Sequence, residues 1–175
     1  MSNLDHPAIA KVAAALVEAG QHPAAEGIRI LPAEVRTAQQ AADALGVEVG
    51  AIANSLVFRA SFEGRADQPL LALTSGAHRA DTGVLATLAG AARVGKADPA
   101  FVKEHTGQVI GGVAPVGHPS RLITLVDTAL RRYDVVWAAA GHAKSVFPTT
   151  FEDLLALTGG RAADVAAPQN QGAPP

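Results

Sequence analysis

The stretch Thr106-Gly107-Gln108-Val109-Ile110-Gly111-Gly112-Val113-Ala114-Pro115-Val116-Gly117-His118 constrains this chain most, because four glycines and a proline stand among short apolar residues and the run ends on a histidine. Glycine reaches positive φ and brings backbone N–H groups close to a neighbour with no Cβ in the way. Proline fixes one φ and removes a donor. Two readings follow: a tight turn between regular elements, or a loop that cradles a ligand with its main chain. Either way the segment is a loop, and regular structure must be built around it.

Before the loop, Ile9, Val12, Ala13, Leu16 and Val17 recur at helical spacing, which predicts a helix over 7–19 with Asp5 as cap and Gly20 as stop. Residues 27–31 read as a short strand, and Thr37 opens a helix that ends at Gly46. The runs 54–60 and 70–74 are apolar and strand-length; the polar turn Glu63-Gly64-Arg65-Ala66-Asp67 between them predicts an antiparallel pair. Asp81 caps a helix through Leu88, Asp98-Pro99 opens another, and Gly107 closes it. Beyond the loop, strands are expected at 122–127 and 135–139, a capping box Thr149-x-x-Glu152 starts a helix to Gly159-Gly160, and a last strand runs over 162–165. These elements predict an α+β domain over 1–167: a mixed, largely antiparallel curved sheet with surrounding helices. Residues 168–175, without apolar periodicity, are expected to be a disordered tail.

Of the 175 residues 49% are hydrophobic but only 4% aromatic, so the core must be mostly Ala, Val, Leu and Ile, with Trp137 and a few phenylalanines as its large pieces. A net charge of −2 argues against a surface that grips nucleic-acid backbones throughout, and DNA binding is not expected. With no cysteine there is no disulfide framework, thiolate nucleophile or Cys-based zinc site. No HxxxH or dense carboxylate cluster suggests a metal, and no cofactor is implied. Ser55 and Ser75 lack a GxSxG elbow, and the glycine loop lacks the P-loop lysine and hydroxyl. No basic n-region with an apolar h-region opens the chain and no stretch is membrane-length, so a cytoplasmic protein is expected.

Four pieces stand in one order: Ile52-Ala53-Asn54-Ser55-Leu56-Val57-Phe58; Leu73-Thr74-Ser75-Gly76; the glycine loop, between Lys96-Ala97-Asp98-Pro99 and Leu122-Ile123-Thr124-Leu125-Val126-Asp127; and Val135-Val136-Trp137-Ala138-Ala139-Ala140-Gly141. With them the chain resembles, over roughly residues 8–167, the YbaK/ProX family, the free-standing relatives of the editing domain inserted in bacterial prolyl-tRNA synthetases. The resemblance implies that fold, and an aminoacyl-tRNA deacylase acting in trans on mischarged tRNA, with the tRNA 3′ end as partner and a synthetase as a further one.

Such an ester is already activated, so the task is to supply a water, donors for the developing oxyanion, and a pocket for the side chain. The family's GxxxP pattern falls on Gly111-Gly112-Val113-Ala114-Pro115. The N–H groups of Gly111 and Gly112 are the candidate oxyanion donors, Pro115 and Val116 the candidate wall, and Val113 and Gly117 further substrate-binding candidates. Where most relatives carry a lysine this chain has Asn54, which keeps hydrogen bonding but loses the charge; Arg79 and Lys144 are candidate replacements. Thr74, Ser75 and Gly76 end a strand, where hydroxyls either face a cleft or cap the turn. His118 and His142 follow glycines at loop positions and either contact substrate or are plain surface residues. His78 suits a structural polar cluster with Arg79 and Asp81. Lys103, Arg131 and Arg132 either touch an acceptor stem or are simply solvated.

The polar set Asn54, Ser55, Thr74 and Ser75 points to a small or hydroxylated amino acid such as alanine, serine or threonine, with cysteine also open. The alternative is a non-catalytic module of the same fold that binds a tRNA end, an amino acid or a protein. The loss of the lysine at Asn54 is its support.

Overall fold

In a computed structural model the described residues are 6–108, 113–119 and 122–166. Six α-helices lie among the described residues, and all but the short second one start on a side-chain cap. Helix α1, Pro7–Glu18, buries Ile9, Val12 and Leu16, while Val17, expected on the same face, is 46% exposed. The buried stripe is thus one residue wide per turn. His6 caps it, its Nδ1 accepting from Ala8 N–H at 3.1 Å; Asp5, the expected cap, lies outside the described residues. A short α2 follows at His22–Glu26, and α3, Ala38–Leu45, starts on the Thr37 hydroxyl and stops at Gly46 in the left-handed region. Asp81 caps α4, Thr82–Ala89, and Asp98 caps α5, Pro99–Thr106, which ends at Gly107.

Helix α6, Phe151–Thr158, corrects one expectation: its cap is Thr150, whose hydroxyl accepts from Asp153 N–H at 3.0 Å, not Thr149. Thr149 is the last residue of a strand and pairs with Val136, so its extended backbone belongs to the sheet.

Among the described residues eight strands form one sheet: β1 Arg29–Ile30, β2 Ile52–Ser61, β3 Gln68–Ser75, β4 Arg93–Lys96, β5 Ile123–Asp127, β6 Val136–Ala139, β7 Ser145–Thr149 and β8 Arg161–Ala163. Their order is β1-β7-β6-β2-β3-β5-β8, with β4 also on β2. The expected hairpin is present, β2 and β3 pairing antiparallel from Ala53↔Ser75 to Ala60↔Gln68. The other edge of β2 is shared. Strand β6 joins it in parallel at Ile52 and Ala53, and β4 joins antiparallel at Phe58 to Ser61. Between these two partners, residues 54–57 have no ladder partner on that edge among the described residues, and the sheet opens there.

Strand β3 is buried on both faces. Leu71 and Leu73 join a large cluster with Val12, Leu16, Phe147 and Leu154, while Leu70 and Ala72 pack with Leu85, Val94 and Leu125 on the other face. Burying each such leucine contributes about 1.5–3 kcal/mol. Trp137, expected as a large core piece, is only half-buried beneath the Arg29 guanidinium, 4.9 Å from the ring centroid; Phe147 is the largest fully buried side chain. Among the described residues no helix is long and apolar enough to cross a membrane. The expected domain end at 167 and tail 168–175 lie outside the described residues.

Candidate active site

The opening in the sheet is the floor of a cleft of about 270 Å³. Asn54, Ser55 and Leu56 reach it from β2, Trp137 from β6, His142 from the turn after β6, Val113 from the outgoing end of the glycine loop, and Arg36 from the segment leading into α3. The geometry therefore unites Asn54 and Ser55 with Val113 and His142, candidates from three distant places in the sequence. Ser55 Oγ is buried with no hydrogen-bond partner, a polar atom in the wall with unused capacity.

Sequence reasoning missed Arg36. It is an exposed cation at the rim, its own N–H fixed by Gln40 Oε1 at 2.7 Å at the start of α3. The available signal was its position just before the Thr37 cap, but nothing local says that this helix start faces Asn54. Of the two cations expected near Asn54, Lys144 lines a separate 150 Å³ cavity with His6 and His142, and Arg79 is not among the residues lining the cleft.

The turn carrying His142 is rigid. Buried Ser145 spends its hydroxyl on it, donating to His142 O at 3.0 Å and accepting from His142 N–H at 3.1 Å. Lys144 N–H donates to His142 Nδ1 at 3.0 Å, so the neutral ring carries its proton on Nε2 and offers a donor. Gly141, at φ +102°, lies against the first turn of α1; a Cβ there would sit 2.8 Å from Ala8 O.

Gln108 clamps the glycine loop. Its buried amide accepts from Ala114 N–H at 2.7 Å and donates to Val116 O at 3.0 Å, joining both sides of the loop. His118 Nε2 bonds to Ala114 O at 2.8 Å. Burial pushes the His118 pKa below the ordinary 6.5, with Lys11 adding to the effect and the bond to Ala114 opposing it. Neither His118, Gly117, Pro115 nor Val116 lines the cleft; Val116 packs on the large core cluster and Pro115 is buried. Gly111 and Gly112 lie outside the described residues.

Thr74, Ser75 and Gly76 are placed elsewhere. Ser75 donates from Oγ to Gly50 O at 2.8 Å and from its N–H to Asp127 Oδ2 at 2.9 Å, so its polar atoms are committed to joining β3 to β5 and to the turn before β2. His78 bonds to the same fully buried Asp127 carboxylate, the structural cluster expected of it, although with Asp127 in place of Arg79 and Asp81. Thr74 is buried with an unpartnered hydroxyl, and a Cβ on Gly76 would meet Val49 O at 2.5 Å. Arg131 stacks over Phe151 at 4.6 Å, and Arg132 lines a cavity with Asp127.

Residues 32–157 match the family model of the aminoacyl-tRNA editing domain, a span that contains every residue lining the cleft. The chain belongs to this family. The Bacillus subtilis (strain 168) protein YwhH is 33% identical over 118 residues, 67% of this chain and 72% of the relative. A crystal structure named as that of a candidate trans-editing enzyme for prolyl tRNA synthetase is 41% identical, with a TM-score of 0.82 over 93% of this chain and 98% of that one. The crystal structure of hypothetical protein APE2540 is 27% identical, with a TM-score of 0.77 over 89% and 98%. The α+β architecture is thus that of the YbaK-like editing domain. In this editing domain the cleft lies where β2 changes partners, with Asn54 on its floor.

Proposed function

We propose that this editing domain is a trans-editing aminoacyl-tRNA deacylase of the cytoplasm that hydrolyses the ester of mischarged tRNA, removing alanine, serine or threonine, with cysteine also admitted. The observation that carries this reading is the convergence of Asn54, Ser55, His142 and the end of the glycine loop on one small cleft. A cleft of about 270 Å³ suits an aminoacyl group of a few heavy atoms, and the unused Ser55 hydroxyl suits a substrate with a polar group to offer.

Water attacks the ester carbonyl, the carbonyl oxygen gains negative charge, and the bond to the ribose oxygen breaks. The N–H groups of Gly111 and Gly112, just before Val113, receive that charge, and the Asn54 amide orients the ester. His142 holds a proton on Nε2, so it serves as a donor to the carbonyl or to the departing oxygen rather than as the base. The water's second proton passes to the departing ribose oxygen while His142 keeps its own as a hydrogen-bond donor, and a free amino acid and a tRNA with its ribose hydroxyl restored leave. Arg36 supplies the positive charge that Asn54 lacks.

Single-turnover deacylation tests this, using proline tRNA charged with Ala, Ser, Thr, Cys or Pro beside Ser-, Thr- and Ala-charged cognate tRNAs. Hydrolysis of one mischarged species well above the no-enzyme rate is expected. Arg36→Ala should then lower kcat/KM by about tenfold, a loss of roughly 1.4 kcal/mol in transition-state binding. Asn54→Lys should change an existing rate. Silence across the panel, with a rate appearing only in the Asn54→Lys protein, would instead favour the non-catalytic module.

A further inference from the structure

A second cavity, of about 610 Å³, adjoins the cleft and shares His142 and Ala143 with it. Its chemistry is different. Lys11 comes to it from α1 and Lys103 from the last turn of α5, and the two ammonium groups converge on Gly107: Lys103 Nζ donates to Gly107 O at 3.4 Å, and Lys11 Nζ lies 4.0 Å from where a Gly107 Cβ would stand. Neither lysine makes an ion pair among the described residues, although Glu34 also lines the cavity. Two ammonium groups brought to one glycine from separate helices, with no carboxylate in ion-pair reach among the described residues, make a positive field that favours an anion. Burial is the main cause of the depressed pKa of His118, and the nearby Lys11 charge lowers it further. At the boundary with the cleft, the His6 and His142 rings meet edge-on with centroids 4.9 Å apart, presenting aromatic surface of the kind on which bases stack.

We infer that this cavity receives the 3′-terminal nucleotides of the RNA, with phosphates held by Lys11 and Lys103 and the terminal base against the His6 and His142 pair. The assignment rests on the deacylase reading for the kind of RNA bound. The ester then lies at His142, on the wall common to both cavities, with the amino acid on the cleft side.

The test is fluorescence anisotropy with a 5′-labelled RNA oligonucleotide ending in CCA, titrated at several salt concentrations with wild type, Lys11→Ala, Lys103→Ala, the double variant, and Lys96→Ala as a control on β4. The double variant should bind about tenfold more weakly. Its slope of log K against log salt should be shallower by about 1.4, the release expected for two single-strand phosphates. Lys96→Ala should match wild type. No binding by the wild type, an unchanged double variant, or an equal loss in Lys96→Ala would each overturn the site. Steady-state deacylation separates the two readings. Lysine-dependent binding without hydrolysis of any mischarged tRNA sinks the deacylase and keeps the cavity, whereas hydrolysis with an unchanged KM in the double variant sinks the cavity alone.

Discussion

Gln108 shows how much one side chain can decide. Replacing it with leucine strips Ala114 N–H and Val116 O of their partners inside the loop, at about 1–3 kcal/mol for each orphaned group. A drop of that size in urea-melt stability is expected, with lost deacylation as the loop loosens; an unshifted midpoint would mean that the clamp is idle. Thr74 is the reverse case. Its buried hydroxyl has no partner, so Thr74→Val should leave stability equal or raise it by about 1 kcal/mol in the same melt. His118 gives a pH dependence. Its folded pKa lies below 6.5, so the unfolded chain binds the proton more readily; stability is complete above about pH 6.5 and falls as pH drops from there through the depressed folded value. His118→Gln should flatten urea midpoints between pH 7.5 and 5, and an unchanged slope would assign the effect elsewhere. None of these roles can be read along the chain: Gln108 and His118 bond within their own loop, but its irregular path is not set by any local pattern, and Thr74 loses its partner only through packing.

Helix starts and stops were legible because their chemistry is local. Thr37, Asp81 and Asp98 cap through their own side chains three residues ahead, and Gly46 and Gly107 end helices through a backbone state that other residues resist. Strand β7 was hidden by Pro148, which reads as a breaker. It survives because β1 stops at Arg29, opposite Val146, so the ring packs by Gly27 and the missing N–H faces no ladder partner. Strand β4 was hidden by its length and its single buried residue, Val94. The cleft was half legible: Asn54, Ser55, Val113 and His142 carry recognisable chemistry, while Arg36 becomes a site residue only once α3 is packed beside β2. At Gly141 the turn and α1 are one unit. Gly141→Ala would need both an unfavourable φ and a shift of the Ala8 carbonyl, so a loss of about 1–3 kcal/mol is expected, with deacylation falling as His142 moves; a neutral variant would show that the contact has slack.

Across the whole molecule, β3 divides the interior into two packed faces that share a backbone but not a cluster. Val12→Ala on one face and Leu85→Val on the other should therefore add to within about 0.5 kcal/mol in chemical denaturation, and a larger discrepancy would reveal coupling through the sheet. The strand order explains where the cleft can be. Among the described residues only β2 exchanges one neighbour for another along a single edge, and there its main chain comes within reach of a ligand between ladders. The seating of α1 on Gly141 has a practical consequence. His6 and Lys11 form part of the cavity wall, so an affinity tag placed directly ahead of α1 would start beside the proposed RNA path. A polyhistidine leader would compete with or mimic the recognition being assayed, and quantitative work should use protein tagged at the other terminus or with the leader cleaved away.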